Sequence, residues 1–172
     1  MSAAGARLAH DWYDAPLPAN VAIGERSWLY SSFAFLHHRS RRPVAVRIGR
    51  DSGVYRGTVF EIGPDGEVEI GDFCTLAGPT LATNGRISIG DHVLVSYGVV
   101  IADLSYATPA DDFPGAVTEI GDNVWIGASA LLVGGVRIGD DAVVGAKAVV
   151  REDVPAGAIA AGNPARIVGS VR

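Results

Sequence analysis

The sequence predicts an all-β fold in which short parallel strands wind into a three-sided column, a parallel β-helix. Two regularities carry that reading. Ile, Leu or Val recurs every six residues at Ile120, Ile126, Leu132, Ile138, Val144 and Val150. Glycine follows one place later at Gly121, Gly127, Gly139 and Gly145. A period of six is not a helix period and is too long for simple strand alternation. It suits a chain that runs one short strand, turns a corner and repeats, with three strands to each coil of eighteen residues. Coils stacked through parallel hydrogen bonds pile their aliphatic side chains inside the prism.

The same count extends upstream once insertions are admitted. It yields coils at Ile23, Leu29 and Phe35, then Ile48, Val54 and Phe60, then Ile70, Leu76 and Ala82, then Ile89, Val95 and Ile101. Leu81 is the alternative to Ala82. With the two coils of the opening series, about six coils span residues 21–152. The irregular steps run from Phe35 to Ile48, Phe60 to Ile70, Ala82 to Ile89 and Ile101 to Ile120. Each follows the third strand of a coil, so all inserted loops fall on one corner. Tight turns such as Gly90-Asp91-His92 and Gly121-Asp122-Asn123 mark the others. The loops at 37–43 and 103–118 lie three coils apart, roughly 14 Å at the spacing of parallel strands. Loops stacked on a rigid scaffold are where binding sites form; the alternative is that one corner merely tolerates drift. Residues 1–20, with Trp12, Tyr13, Pro16 and Pro18, are expected to cover the open first coil. Residues 153–172 are expected to cap the other end.

The chain has 172 residues and a net charge of -5, which fits one domain and argues against a nucleic-acid backbone as partner. The single Cys74 excludes an internal disulfide and reads as a small apolar residue in a strand. No apolar run is long enough for a membrane helix, and the N-terminus lacks a charged stretch followed by an apolar run. A soluble, cytoplasmic protein without a membrane partner is expected.

Residues 120–168, with the NVWIG element and the AGNPARIV ending, closely resemble the C-terminal half of the hexapeptide-repeat acyltransferases. The nearest likeness is to galactoside-, maltose- and related sugar O-acetyltransferases, and it covers about residues 46–168. The resemblance implies a left-handed parallel β-helix, a homotrimer with sites between subunits, and acetyl-coenzyme A as co-substrate. It places coenzyme A along the later coils, near the backbone of Ala128 and Ala146, with Arg166 toward the nucleotide end. Many relatives carry Thr-Lys where this chain has Arg151-Glu152. Arg151 keeps one positive charge, and the Glu152 carboxylate would repel a phosphate.

Acyl transfer to a hydroxyl or amine needs a base, and imidazole is the usual one near neutral pH. Relatives place it just after the third strand of the coil before the long loop. Tyr106 or Ala107 stands there in this chain, and phenol is a poor base at neutral pH. Where sugar acetyltransferases carry an acceptor-holding Asn, this chain has Ala77. The other candidate bases are His37 and His38 in the HHRSRRP loop, which a mobile loop or a neighbouring subunit could bring to the 103–118 loop. His92 reads as a turn residue, since His tolerates positive φ. The loop carrying Asp103, Ser105 and Tyr106 suits a sugar or another polyol as small-molecule acceptor. Two functions follow: an acetyl-coenzyme A-dependent acyltransferase, or a catalytically inactive trimer that binds a ligand or partner on the same scaffold. A zinc site of three His is not expected, because only His92 lies within a regular coil. No metal is predicted.

Overall fold

The computed structural model describes residues 7–103 and 116–171. The first coil consists of β1 (Val21–Ile23), β2 (Trp28–Leu29) and a 3-10 turn at Ser32–Phe35. The second is β3 (Val46–Ile48), β4 (Gly53–Val54) and β5 (Val59–Ile62), and the third is β6 (Glu67–Ile70), β7 (Thr75–Leu76) and β8 (Thr80–Thr83). The fourth is β9 (Arg86–Ile89), β10 (Leu94–Val95) and β11 (Val100–Ala102). Then come β12 (Val117–Ile120), β13 (Trp125–Ile126) and β14 (Leu131–Val133), followed by β15 (Arg137–Ile138), β16 (Val143–Val144) and β17 (Val149–Val150). The chain ends in β18 (Ala158–Gly162) and β19 (Ala165–Ser170).

Each face of the column is one sheet. The first runs β1-β3-β6-β9-β12-β15, the second β2-β4-β7-β10-β13-β16-β18-β19, and the third β5-β8-β11-β14-β17. The pairs between coils are parallel, and β18–β19 is the one antiparallel pair among the described strands. The architecture is a left-handed parallel β-helix of about six coils. Register puts Ile23, Ile48, Ile70, Ile89, Ile120 and Ile138 in one inward row. Leu29, Val54, Leu76, Val95, Ile126 and Val144 form the second row, and Phe60, Leu81, Ile101, Leu132 and Val150 the third. All are buried in a single core.

The corners explain the glycines. At the first corner, between the first and second faces, the Asp72 carboxylate accepts the Arg50 N–H at 2.8 Å. Asp91 accepts from Asp72 N at 2.7 Å, Asp122 from Asp91 N at 2.7 Å, and Asp140 from Asp122 N at 2.9 Å. Side chains thus satisfy amides that the turn would leave unpaired. A Cβ on Gly90 or Gly121 would collide with the Asp122 or Asp140 carboxylate, so this step of the repeat excludes every larger residue.

Two elements depart from the sequence reading. The strand expected at Phe35 is a 3-10 turn: Ser31 Oγ accepts the Phe33 N–H at 3.0 Å, and the Phe35 ring stacks on Phe60 with centroids 4.7 Å apart. The bulky ring plugs the open end where no further strand pairs. In the third coil Leu81, not Ala82, holds the inward register, opposite Phe60 and Ile101. The Ala77-Gly78-Pro79 corner is one residue shorter than its neighbours, so the uniform count of six overshoots there.

The N-terminal segment packs on the first coil. His10 stacks on Trp28 at 4.1 Å and its Nε2 lies 2.8 Å from the Leu29 carbonyl. Ser31 Oγ and Ser32 N donate to the Asp11 carboxylate at 2.7 and 2.6 Å. Burial alone would push this carboxyl up, but hydrogen bonds from Ser32, Ser31 and Tyr13 hold it at about 2. The lowered value means that Asp11 stabilises the fold above its ordinary pKa of 3.8 and that this contribution is lost as pH falls toward about 2. An Asp11→Asn variant is expected to melt below the wild type at neutral pH, with the gap closing as pH approaches about 2, read by thermal scans across pH. Phe60→Ala removes the partner of the end plug and leaves a cavity. It should cost about 3–5 kcal/mol in urea unfolding.

Candidate functional site

The sequence-predicted site residues lie on three different edges of the prism. His92 is on the first corner, at φ +58, and its exposed ring stacks on Phe73 with centroids 5.0 Å apart. It is a turn residue there.

Ala128 and Ala146 occupy the second corner, between the second and third faces, one coil apart and both exposed. The Lys147 N–H donates to the Ala128 carbonyl at 2.9 Å, which locks the two corners in register. Neither the Ala128 nor the Ala146 N–H donates to any described residue. Gly127 keeps the turn close: a Cβ there would meet Ala146 N at 2.5 Å. The result is a pair of small side chains whose backbone donors have no described acceptor. Lys147, exposed at φ +60 beside Ala146, adds a cation that the sequence reading passed over. Its signal was the turn position itself. Ala77 sits on the same corner, and its N–H is used by the Val95 carbonyl at 2.8 Å.

Arg151 and Arg166 come together beyond the sixth coil, around a depression of about 100 Å³ that also includes Glu152 and Asp153. Glu152 Oε1 lies 3.7 Å from Arg166 Nη1, with both side chains exposed. In this arrangement Glu152 partners the arginine.

The third corner holds the loops. Asp103 is 3% exposed, and its carboxylate accepts from Thr83 Oγ1 at 2.7 Å, Asn84 N at 2.9 Å and Gly85 N at 3.2 Å. It fixes the loop of the preceding coil. Ser105 and Tyr106 lie outside the described residues. His37 is exposed, whereas His38 is half-buried with Nε2 2.9 Å from Asn20 Oδ1. Burial pushes the His38 imidazole below its ordinary pKa. Asn20 Nδ2 donates to the Ser40 and Arg42 carbonyls, and the N–H groups of Arg39 and Arg41 donate to the Ile62 and Pro64 carbonyls. This loop is docked onto the next coil, contrary to the expectation of a mobile loop. Within one chain it stays three coils from Asp103, so only a second copy could bring His37 to that residue. No group of three or more His, Cys, Asp or Glu among the described residues is arranged to hold a metal ion.

The pattern of strands and corners is shared with known proteins. The family described as "Bacterial transferase hexapeptide (six repeats)" matches residues 118–152. The galactoside O-acetyltransferase of Escherichia coli is 29% identical over 139 residues, which cover 76% of this chain and 66% of that one. A 2,3,4,5-tetrahydropyridine-2,6-dicarboxylate N-acetyltransferase of Staphylococcus aureus is 43% identical over 79 residues, covering 46% of this chain and 31% of its own. Among solved structures, a hexapeptide-repeat acetyltransferase of Vibrio cholerae complexed with acetyl coenzyme A is 30% identical. It superposes with a TM-score of 0.58 over 73% of this chain and 70% of its own. This chain therefore belongs to the hexapeptide-repeat transferases.

Proposed function

We propose that the chain moves an acetyl or other acyl group from coenzyme A to a hydroxyl or amine of a small acceptor, with a sugar as one candidate. The carrying observation is the second corner, where Ala128 and Ala146 are exposed and their N–H groups have no described acceptor. An extended amide arm has carbonyls to offer at both. Acetyl-coenzyme A bound in the Vibrio cholerae relative supports that donor. Lys147, Arg151 and Arg166 supply positive charge toward the last coils for a phosphorylated nucleotide.

In the reaction the acceptor oxygen or nitrogen attacks the thioester carbonyl. The new C–O or C–N bond forms, the C–S bond breaks, and the acceptor proton ends on the coenzyme A thiol. The proton needs a carrier. His37, His92 and Tyr106 are the candidates, and because His37 and His92 lie on edges other than that of Ala128 and Ala146, a homotrimer would supply one subunit's loop to another's corner. Backbone donors aimed at the thioester oxygen would stabilise the developing oxyanion. The protein is proposed to act in the cytoplasm; no helix among the described residues is long and apolar enough to cross a membrane.

A second reading is a non-catalytic scaffold. It is favoured by Tyr106 at the usual imidazole position and by the Asn20 bond and burial that hold His38 away from a substrate. Turnover separates the two. Protein with acetyl-coenzyme A and a panel of sugars and amines should release free thiol with at least one acceptor, and silence across the panel would favour the scaffold. An Ala146→Leu variant should keep its melting temperature and raise the KM for acetyl-coenzyme A about tenfold, since the added side chain shields the backbone donor. His37→Ala should lower kcat by about 100-fold or more if its imidazole is the base. An unchanged kcat removes His37 and leaves His92 and Tyr106.

A further inference from the structure

A cavity of about 450 Å³ opens at the N-terminal end of the column, between the 3-10 turn and the second corner of the second coil. That volume suits a small molecule. Its walls are aromatic. Trp12 and Phe33 stand 5.4 Å apart between ring centroids, and Tyr30 and Tyr55 line the cavity with them. Tyr55 is seated against Gly53, where a Cβ would come within 2.5 Å of Tyr55 Cε2. This glycine replaces the larger outward residues that the other coils carry at the same register, Trp28 and Thr75 beside it and Leu94 one coil further.

Two polar groups break the apolar lining. Arg56 is exposed at the cavity and forms no ion pair among the described residues. Thr58 is 4% exposed, and its Oγ1 is buried without a hydrogen-bond partner among the described residues. Flat rings select a flat ring. The unpaired guanidinium selects an anion, by charge-assisted hydrogen bonds that a planar oxyanion can make two at a time.

We propose that this cavity binds a planar aromatic group bearing an anionic substituent, an aryl phosphate or aryl carboxylate, with the ring among Trp12, Tyr30, Phe33 and Tyr55 and the anion on Arg56. Arg56 and Ala128 share the second corner, three coils apart, roughly 14 Å at the spacing of parallel strands. Resting on the acyl-transfer reading, this makes the cavity the acceptor's anchoring pocket and the acceptor an aromatic anion rather than a plain sugar.

Calorimetry with phenyl phosphate and with benzoate, in the absence of acetyl-coenzyme A, tests the site independently of any turnover. At least one of the two anions should bind about tenfold or more tightly than phenol, and inorganic phosphate should be weaker than phenyl phosphate. Arg56→Ala, an exposed position, should weaken the anion about tenfold while leaving phenol unchanged. Tyr55→Leu should weaken phenol and the anions alike. Equal affinity for phenol and the anions, or an Arg56→Ala variant that binds as the wild type does, would overturn the proposal. So would binding that emerges only after deletion of residues 1–6, which would make the chain's own N-terminus the occupant. A fall in sedimentation coefficient on adding phenyl phosphate would name a second copy of the chain instead, and would also overturn it. Thiol release without aryl-anion binding would sink this proposal alone, and aryl-anion binding without thiol release from aryl anions that bear a hydroxyl or amine would leave the pocket and remove the transferase.

Discussion

A chain that turns every six residues must hide or satisfy its corner amides, and the aspartate ladder on the first corner does this from coil to coil. Arg50 N, Asp72 N, Asp91 N and Asp122 N each meet the carboxylate of the coil that follows. The carboxylate needs the space that a side chain at Gly90 or Gly121 would take, so the Gly-Asp step is one physical unit rather than two preferences. The residue after it turns at positive φ, as Phe73, His92, Asn123 and Asp141 do. With the corners fixed in this way, every inward side chain falls into line, and the rows of Ile, Val and Leu pack without a shift in register.

That rigidity determines where chemistry can sit. The inside of the column is filled and the faces are flat, so ligands are left with edges and ends. The first face carries charges that pair on its own surface, Arg86 with Glu69 at 2.6 Å and Arg137 with Glu119 at 3.0 Å. Such exposed pairs contribute little to stability. The second face presents Trp28, Leu94 and Trp125, all exposed. Its edge with the third face is the one that strings together the aromatic cavity, Ala77, Ala128 and Ala146. A donor lying along that edge and an acceptor held at its N-terminal end would approach each other along the column axis, which is the geometry a transfer reaction needs.

Much of the fold was legible because the period of six is set by the core, and the core leaves no alternative. The two errors come from local overrides of that period. Gly78-Pro79 closes its corner with one residue fewer, which moves the inward position from Ala82 to Leu81. Ser31 caps a 3-10 turn, and stacking on Phe60 holds Phe35 in the core without any strand pairing. The site was less legible. Small residues at Ala128 and Ala146 follow from the motif, but Asp103 reads as a substrate ligand only until its buried bonds to Thr83, Asn84 and Gly85 are seen. His38 looks like a loop base until Asn20, eighteen residues away in sequence, is seen to hold its ring. The aromatic cavity joins Trp12 from the N-terminal segment to Phe33 and Tyr55 from different coils, and no spacing rule connects those positions.

The separation of the candidate bases from the donor edge is a property of the prism, not of a particular loop. His92 belongs to the first corner, Ala128 and Ala146 to the second, Asp103 and the docked His37–His38 loop to the third. No rotamer change carries a side chain from one edge to another, because a packed sheet of strands lies between. A proton carrier for the acyl transfer proposed at the second corner would therefore come from the residues beyond Asp103, from the acceptor itself, or from an edge of another copy of the chain. The docking of Arg39 and Arg41 onto Ile62 and Pro64 makes the His37–His38 loop a stiff ridge instead of a loose flap, and a stiff ridge can be set against a neighbour's edge with little loss of loop entropy. A base delivered in that way would depend on assembly, and activity would then fall on dilution in step with the oligomer.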